Sequence, residues 1–481
     1  MTEESTAREQ AGRLSLETSD ETIRRALDDA DALAAGMEAL EEGTDAGTER
    51  GVPGDDEYDA LLRRDPEAEG GEGPLADVQV AVKDNVAVAN LRMTCGSEAF
   101  EHVPPEDASV VARLRAGGAE IVGKTNMDAF AFGPSGEFSD FAQVANPIHP
   151  GRVPGGSSSG SGAAVAGGIV DVALGSDTGG SVRIPAACTG VVGAKPTHGI
   201  VPRDGFVAFA PSLDTIGPIA SSVGLAATAL DVMVGPSAAD PSSRDRPPEP
   251  SFEEARERDE FAVGVPESFY AVTDDSVATA VRERLEQVPD VVPETVELPL
   301  GAIEEAYLLL GATEFVWYLD QTGVVRGQGT DYSAGIRRAL ADVKAETLGE
   351  HMARRVLPAA TLDAETDGES YRRARRTGMA FTGRVRDALA GVDVLVTPTI
   401  RTPPPAFGAI STTEEMMTLL GNTAPFNVSG NPAVTVPVGE VDGLPASAQV
   451  VAPRYGDFLA LAVAERLTRN EGGGATPSFN R

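Results

Sequence analysis

Residues 154–195 read PGGSSSGSGAAVAGGIVDVALGSDTGGSVRIPAACTGVVGAK. Two loops rich in glycine and serine, 155–162 and 175–181, flank one apolar segment. Residues 163–168 are small and apolar, and residues 170–174 suit a strand, so the stretch reads as loop, helix, strand, loop. Glycine leaves backbone N–H groups unobstructed and lets a ligand approach them closely. Two such loops at one sheet edge can gather serine hydroxyls and N–H donors. Acyl transfer requires that set: a nucleophile, a proton path and donors for an oxyanion.

The rest of the chain sets limits on this reading. Its 481 residues suffice for one large domain or two to three ordinary ones, and 41% are apolar, enough for a sizeable core. With 39 basic and 74 acidic residues the net charge is −35, which opposes direct nucleic-acid binding and attraction to anionic membranes. Lysine occurs only at Lys83, Lys124, Lys195 and Lys344. An acidic, lysine-poor composition fits a halophilic, cytoplasmic protein, because concentrated salt screens the self-repulsion. Cys95 and Cys188 form no disulfide framework or metal cluster. The polar start MTEESTAREQ is no signal peptide, and Asp171 interrupts the best apolar run, so no membrane span is expected.

Residues 18–42 suggest an amphipathic helix that Ser19 or Asp20 can cap. Residues 43–73, rich in Gly, Asp and Glu, read as a solvated connection with a short helix at 58–63. The chain thus divides into an acidic helical extension with its linker, 1–73, and a main domain, 74–481, whose portion 240–390 would cover the substrate side. Strands are expected at 78–82, 120–122, 261–265, 393–398, 432–437 and 447–451. Helices are expected at 109–116 (capped), 275–287, 303–319, 369–390 and 458–470, with 472–481 frayed. The alternation indicates α/β architecture.

Short motifs alone mislead here. Gly156-x-Ser158-x-Gly160 matches a hydrolase nucleophile elbow, but the preceding NPIHPGRVPG cannot be the required buried strand, and His198 and His351 lie in no telling context. Asp177-Thr178-Gly179 matches half of an aspartic-protease pair and has no second copy. The first loop lacks the Lys-Ser/Thr of a Walker loop, and the four histidines show no metal-ligand spacing. Lys83 closes a buried strand, where it is either paired with Asp84 or another carboxylate, or desolvated as a base. Trp317, with Phe315 and Tyr318, suits core or pocket wall.

In combination the motifs are specific. VKDN (82–85), GKTNM (123–127), GGSSSG (155–160), GSDTGGSVRIPA (175–186), AKPTHG (194–199) and PSLDTIGP (211–218) occur in fixed order, and together they resemble the amidase signature family over about residues 74–470. The resemblance implies a mixed β-sheet core flanked by helices, here with the helical N-terminal extension. It implies Ser181 as nucleophile, Ser157 on a cis peptide as bridging serine and Lys83 as base. It further implies an oxyanion hole from the N–H groups of Thr178, Gly179, Gly180 and Ser181, with Ser158, Asp177 and Arg183 in support. No cofactor and no metal are implied. A degenerate binding scaffold would be expected to lack Lys83, Ser157 or Ser181, and all three are present.

The family includes general amidases and the glutaminase component of the amidotransferase that acts on Glu-tRNA(Gln) or Asp-tRNA(Asn). That glutaminase usually carries an acid, which holds the glutamine amino group, before a Pro-x-Asn-x-x-Gly segment. Here that segment reads LLGNTAPFNVSGNPA (419–433), with Leu420 at the acid's position. Tyr307 and Arg355 align loosely with the glutaminase's substrate-binding tyrosine and arginine. The motif therefore favours a stand-alone amidase acting on a small amide, alone or as a homodimer, over the amidotransferase glutaminase with its partner subunits. Residues 304–317 and 354–362 are candidate pocket walls.

Overall fold

The structure, a computed structural model, describes all residues except 1–3, 15, 17, 39–45, 321–323, 326–327, 330–333, 342, 344–349 and 470–481. It divides into two units, Met1–Asp45 and Ala46–Arg481. The first contains helices Glu4–Arg13 and Asp20–Glu38. Ser19 Oγ accepts from the N–H of Thr22 at 3.1 Å, capping the second helix as its sequence suggests. The rest of the expected 18–42 helix, and the expected frayed 472–481, lie outside the described residues.

The second unit is built on a twelve-stranded mixed sheet. Its strands, in chain order, are β1 (Val52–Pro53), β2 (Leu61–Arg64), β3 (Gln79–Lys83), β4 (Glu120–Thr125), β5 (Val172–Asp177), β6 (Val192–Lys195), β7 (Thr215–Ala220), β8 (Phe261–Pro266), β9 (Val291–Val296), β10 (Val394–Pro398), β11 (Ala433–Val441) and β12 (Leu444–Val451). The spatial order is β1-β2-β4-β3-β5-β7-β6-β11-β12-β10-β8-β9. Strand β3 runs parallel to both β4 and β5, whereas β7 is antiparallel to β5 and β6. Every residue of β5, β6 and β7 is buried, which explains their continuous runs of small and apolar residues rather than alternation. At one edge, β9 is mostly exposed and carries Pro293 and Glu294, residues that discourage further strand pairing.

Three sequence expectations change. Residues 46–73 are not a separate linker: β1 and β2 extend the sheet, with Arg63 paired to Lys124 and Arg64 to Gly123. The segment expected as a helix at 58–63 ends in β2 instead, because antiparallel pairing to β4 satisfies its backbone. Helix Ser109–Ala116 is present but has no side-chain cap; the N–H of Ser109 donates to Asp204 at 2.9 Å. Among the described residues, every lysine is buried. No described helix is long and apolar enough to cross a membrane.

Candidate active site

The parallel strands β3 and β5 end side by side, with Val82 opposite Leu174. Their C-terminal ends therefore deliver Lys83 and Ser176 to the same place, in the crevice beyond the strand ends where open α/β sheets bind ligands. The loop before helix Ser159–Ala166 brings Ser157 to it, and the Gly156–Ser157 peptide is cis, as expected. The loop after β5 carries Thr178–Ser181 and enters helix Arg183–Thr189.

Lys83 Nζ lies 2.7 Å from Ser157 Oγ and 2.9 Å from Ser176 Oγ, and Asn85 Nδ2 donates to Ser176 Oγ at 3.1 Å. Lys83 is fully buried. Burial lowers its pKa from 10.5 to about 7, against the opposing fields of Asp128, Asp177 and Asp214. The amine is thereby poised to accept a proton near neutral pH. Among the described residues it has no carboxylate at ion-pair distance, so the pairing with Asp84 left open by sequence does not form. Asp84 lies instead 3.6 Å from Lys124.

Ser181 lines a cavity of about 270 Å³. The loop that holds it is fixed from behind. Burial raises the pKa of Asp177, but the charge and hydrogen bonds of Arg183 outweigh that and hold its carboxyl at about 2. Arg183 donates to Asp177 through Nε at 3.0 Å and Nη2 at 2.8 Å, and also to Asn427, Gln449 and the carbonyl of Thr423. Asn427 Nδ2 donates to Asp177 at 2.8 Å, and the N–H of Val182 does so at 3.1 Å. Ser158 Oγ donates to the Ser176 carbonyl at 3.3 Å.

This frame shapes the segment expected to stabilise an oxyanion. Thr178 Oγ1 donates to Asp214, whose other oxygen accepts the N–H groups of Phe209 and Ala210. Thr423 Oγ1 donates to the Gly179 carbonyl at 2.6 Å. Gly180 has φ +138°, a conformation that favours glycine, and a Cβ there would clash with Thr423 Oγ1. A Cβ on Gly179 would clash with the Tyr307 hydroxyl. The N–H groups of Gly179, Gly180 and Ser181 donate to no backbone carbonyl among the described residues, so they remain available to an incoming oxygen.

Both segments expected as pocket walls line the cavity: Tyr307 and Leu308 on helix Ile303–Asp320, and Arg355 and Pro358 on helix Glu350–Glu365. Arg355 Nη1 donates to the Phe132 carbonyl at 2.9 Å, and its guanidinium stands 4.6 Å over the Phe138 ring. The sequence reading missed Phe132 and Phe209, whose rings are 4.6 Å apart in the wall; nothing local to either residue signals the pocket. It also missed Ser176, although GSDTGGS contains it, and Asp214, Thr423, Asn427 and Gln449. Trp317 packs at 4.6 Å against Tyr371. His198 is held at the Pro211 carbonyl, 3.3 Å away. No described group of three His, Cys, Asp or Glu residues is arranged to hold a metal.

Comparison with known proteins gives this geometry a context. The Amidase family model matches residues 57–461. The chain is 40% identical over 399 residues to the A subunit of glutamyl-tRNA(Gln) amidotransferase from Haloarcula marismortui, covering 80% of this chain and 93% of that one. Among solved structures it is similar to the A subunit of glutamyl-tRNA(Gln) amidotransferase from Thermotoga maritima (TM-score 0.75, 31% identity, 87% and 90% coverage). It is also similar to a protein described as an amidase (TM-score 0.68, 30% identity, 82% and 85% coverage).

Proposed function

Because the chain belongs to the Amidase family, we propose that it hydrolyses a carboxamide through an acyl-Ser181 intermediate. The observation carrying this reading is the 2.7 Å approach of the buried Lys83 amine to Ser157 Oγ. Neutral Lys83 accepts the Ser157 proton while Ser157 takes the proton of Ser181, and Ser181 Oγ attacks the amide carbonyl carbon. The carbonyl oxygen becomes an oxyanion held by the N–H groups of Thr178, Gly179, Gly180 and Ser181. The relay then returns the proton to the leaving nitrogen, the C–N bond breaks, and ammonia or an amine departs. Water, deprotonated by the same relay, attacks the acyl-serine and releases the carboxylic acid.

The reading extends to Asp177 and Arg183 as positioning residues and to Tyr307 and Arg355 as substrate-facing ones. The acyl donor has two candidates. The names of the relatives support the glutaminase component of an amidotransferase, working with partner subunits. They support it better than the stand-alone amidase that the motif around Leu420 favoured. The test is ammonia release in multimolar KCl from simple amides, glutamine and asparagine, with Ser181→Ala as blank. Turnover of simple amides by the chain alone supports the amidase; turnover of glutamine alone, appearing with added partner subunits, supports the amidotransferase. Amide turnover that survives Ser181→Ala refutes both.

A further inference from the structure

The walls of the Ser181 cavity are chemically one-sided. Phe132, Phe209, Leu308, Met416 and Leu420 supply apolar surface, and Arg354 and Arg355 supply positive charge. No aspartate or glutamate lines the cavity among the described residues. Leu420 is itself buried against this space at the end of helix Thr413–Leu420.

The carboxylates around the cavity are engaged elsewhere. Asp128 accepts the N–H groups of Gly136 and Phe138. Asp177 belongs to Arg183, and Asp214 to Thr178. Glu314 accepts from Ser212 and Tyr371. Next to Leu420 the Arg401 guanidinium packs on Gly421, where a Cβ would clash with its Cζ, and it is paired with Glu304, so that carboxylate too is engaged. Arg355 has no carboxylate at ion-pair distance among the described residues.

Resting on the amide-hydrolysis reading, we infer that this cavity selects carboxamides whose acyl group is apolar or anionic and carries no ammonium, with Leu420 as a specificity-determining residue. An α-ammonium bound here would lose its water, find no carboxylate and face two guanidinium groups. A plain acyl chain or ring meets apolar side chains and two phenyl rings, and an acyl-borne carboxylate can meet Arg355. Glutamine is then a poor donor even though the scaffold is shared with glutamine-using relatives.

The probes are glutamine, glutaramate (glutamine without its amino group), pentanamide and benzamide. Ammonia release by the wild-type chain is read as kcat/KM for each, and binding to Ser181→Ala is read by calorimetry. The expected result is a preference of at least about 100-fold for glutaramate or a neutral amide over glutamine, the scale of burying an unpaired charge. Leu420→Asp is expected to narrow that ratio at least about 10-fold by improving glutamine, since a carboxylate there pairs the ammonium. The wild-type ratio stands as a test even if the variant does not fold. Glutamine binding as well as, or better than, its desamino analogue overturns the inference, and so does failure of every probe to bind. Preserved binding preference with no turnover leaves the selectivity standing and counts against the proposed chemistry instead.

Discussion

Activity should depend on pH through Lys83. Burial lowers its pKa from 10.5 to about 7, a differential cost of about 5 kcal/mol on the charged form. The proposed relay needs the neutral amine, so activity is lost as pH falls through the folded-state value. About one-tenth of the amine is neutral at pH 6 and about nine-tenths at pH 8, so kcat/KM should rise about 10-fold between them and then level off. A lysine at its ordinary value would be only about 0.3% neutral at pH 8 and would give a limb still climbing tenfold per pH unit. The assay is initial-rate ammonia release from pH 5.5 to 10 at fixed high KCl. Asp214, which burial raises to about 7, could supply a limb in the same window. The Asp214→Asn variant separates them: its residual activity should keep the limb, whereas Lys83→Met should abolish turnover at every pH. A limb that continues upward past pH 9, or one that vanishes in Asp214→Asn, would refute the assignment of Lys83 as the base.

Replacing Ser157 by Ala should cut kcat by about 1,000-fold or more while leaving the circular dichroism spectrum unchanged, because general-base activation of the nucleophile is lost. Gly180→Ala should lower kcat about 100-fold with little change in substrate affinity: it combines a φ of +138° with a clash against Thr423 Oγ1, disturbing donors that act in the transition state. Wild-type values of kcat with a normal KM in that variant would remove the segment from catalysis. Arg183→Met strands the fully buried Asp177 carboxylate and should destabilise the protein by about 3–5 kcal/mol, measured from the denaturant midpoint in high salt; a change under about 1 kcal/mol would deny that pair its structural role. Finally, the net charge of −35 should make stability rise steeply with KCl. A midpoint that does not move between low and multimolar salt would count against the halophilic reading.

The order of elements around the site was legible because it is local. Small residues, turn glycines and a short apolar run lie within 154–195, and Lys83 closes an apolar strand. Helices Ser109–Ala116 and Asp275–Gln287 carry their own periodicity and fall where expected. Strand β2 was illegible because LLRR has no strand signature; it exists through its pairing with residues some sixty positions later. Helix Glu350–Glu365 carries Pro358 in its interior, a residue that argues against a helix when read alone.

The site divides in the same way. The serines and lysine proposed to act in the relay sit in motifs, but the groups that hold them do not. Asp177 and Arg183 are six residues apart, yet their clamp is completed by Asn427 and Gln449, more than 240 positions away. The cavity walls come from six separate stretches, and their common chemistry appears only when Phe132, Phe209, Arg355 and Leu420 face the same space.

If Ser181 carries the acyl group, intact-protein and peptide mass spectrometry of a rapidly quenched reaction will capture it there. With a turned-over amide, the expected result is a mass increase equal to the acyl group, confined to the peptide containing Ser181, released by hydroxylamine and absent from Ser181→Ala. An adduct on Ser157 or on any other residue, or steady turnover by Ser181→Ala, would contradict it.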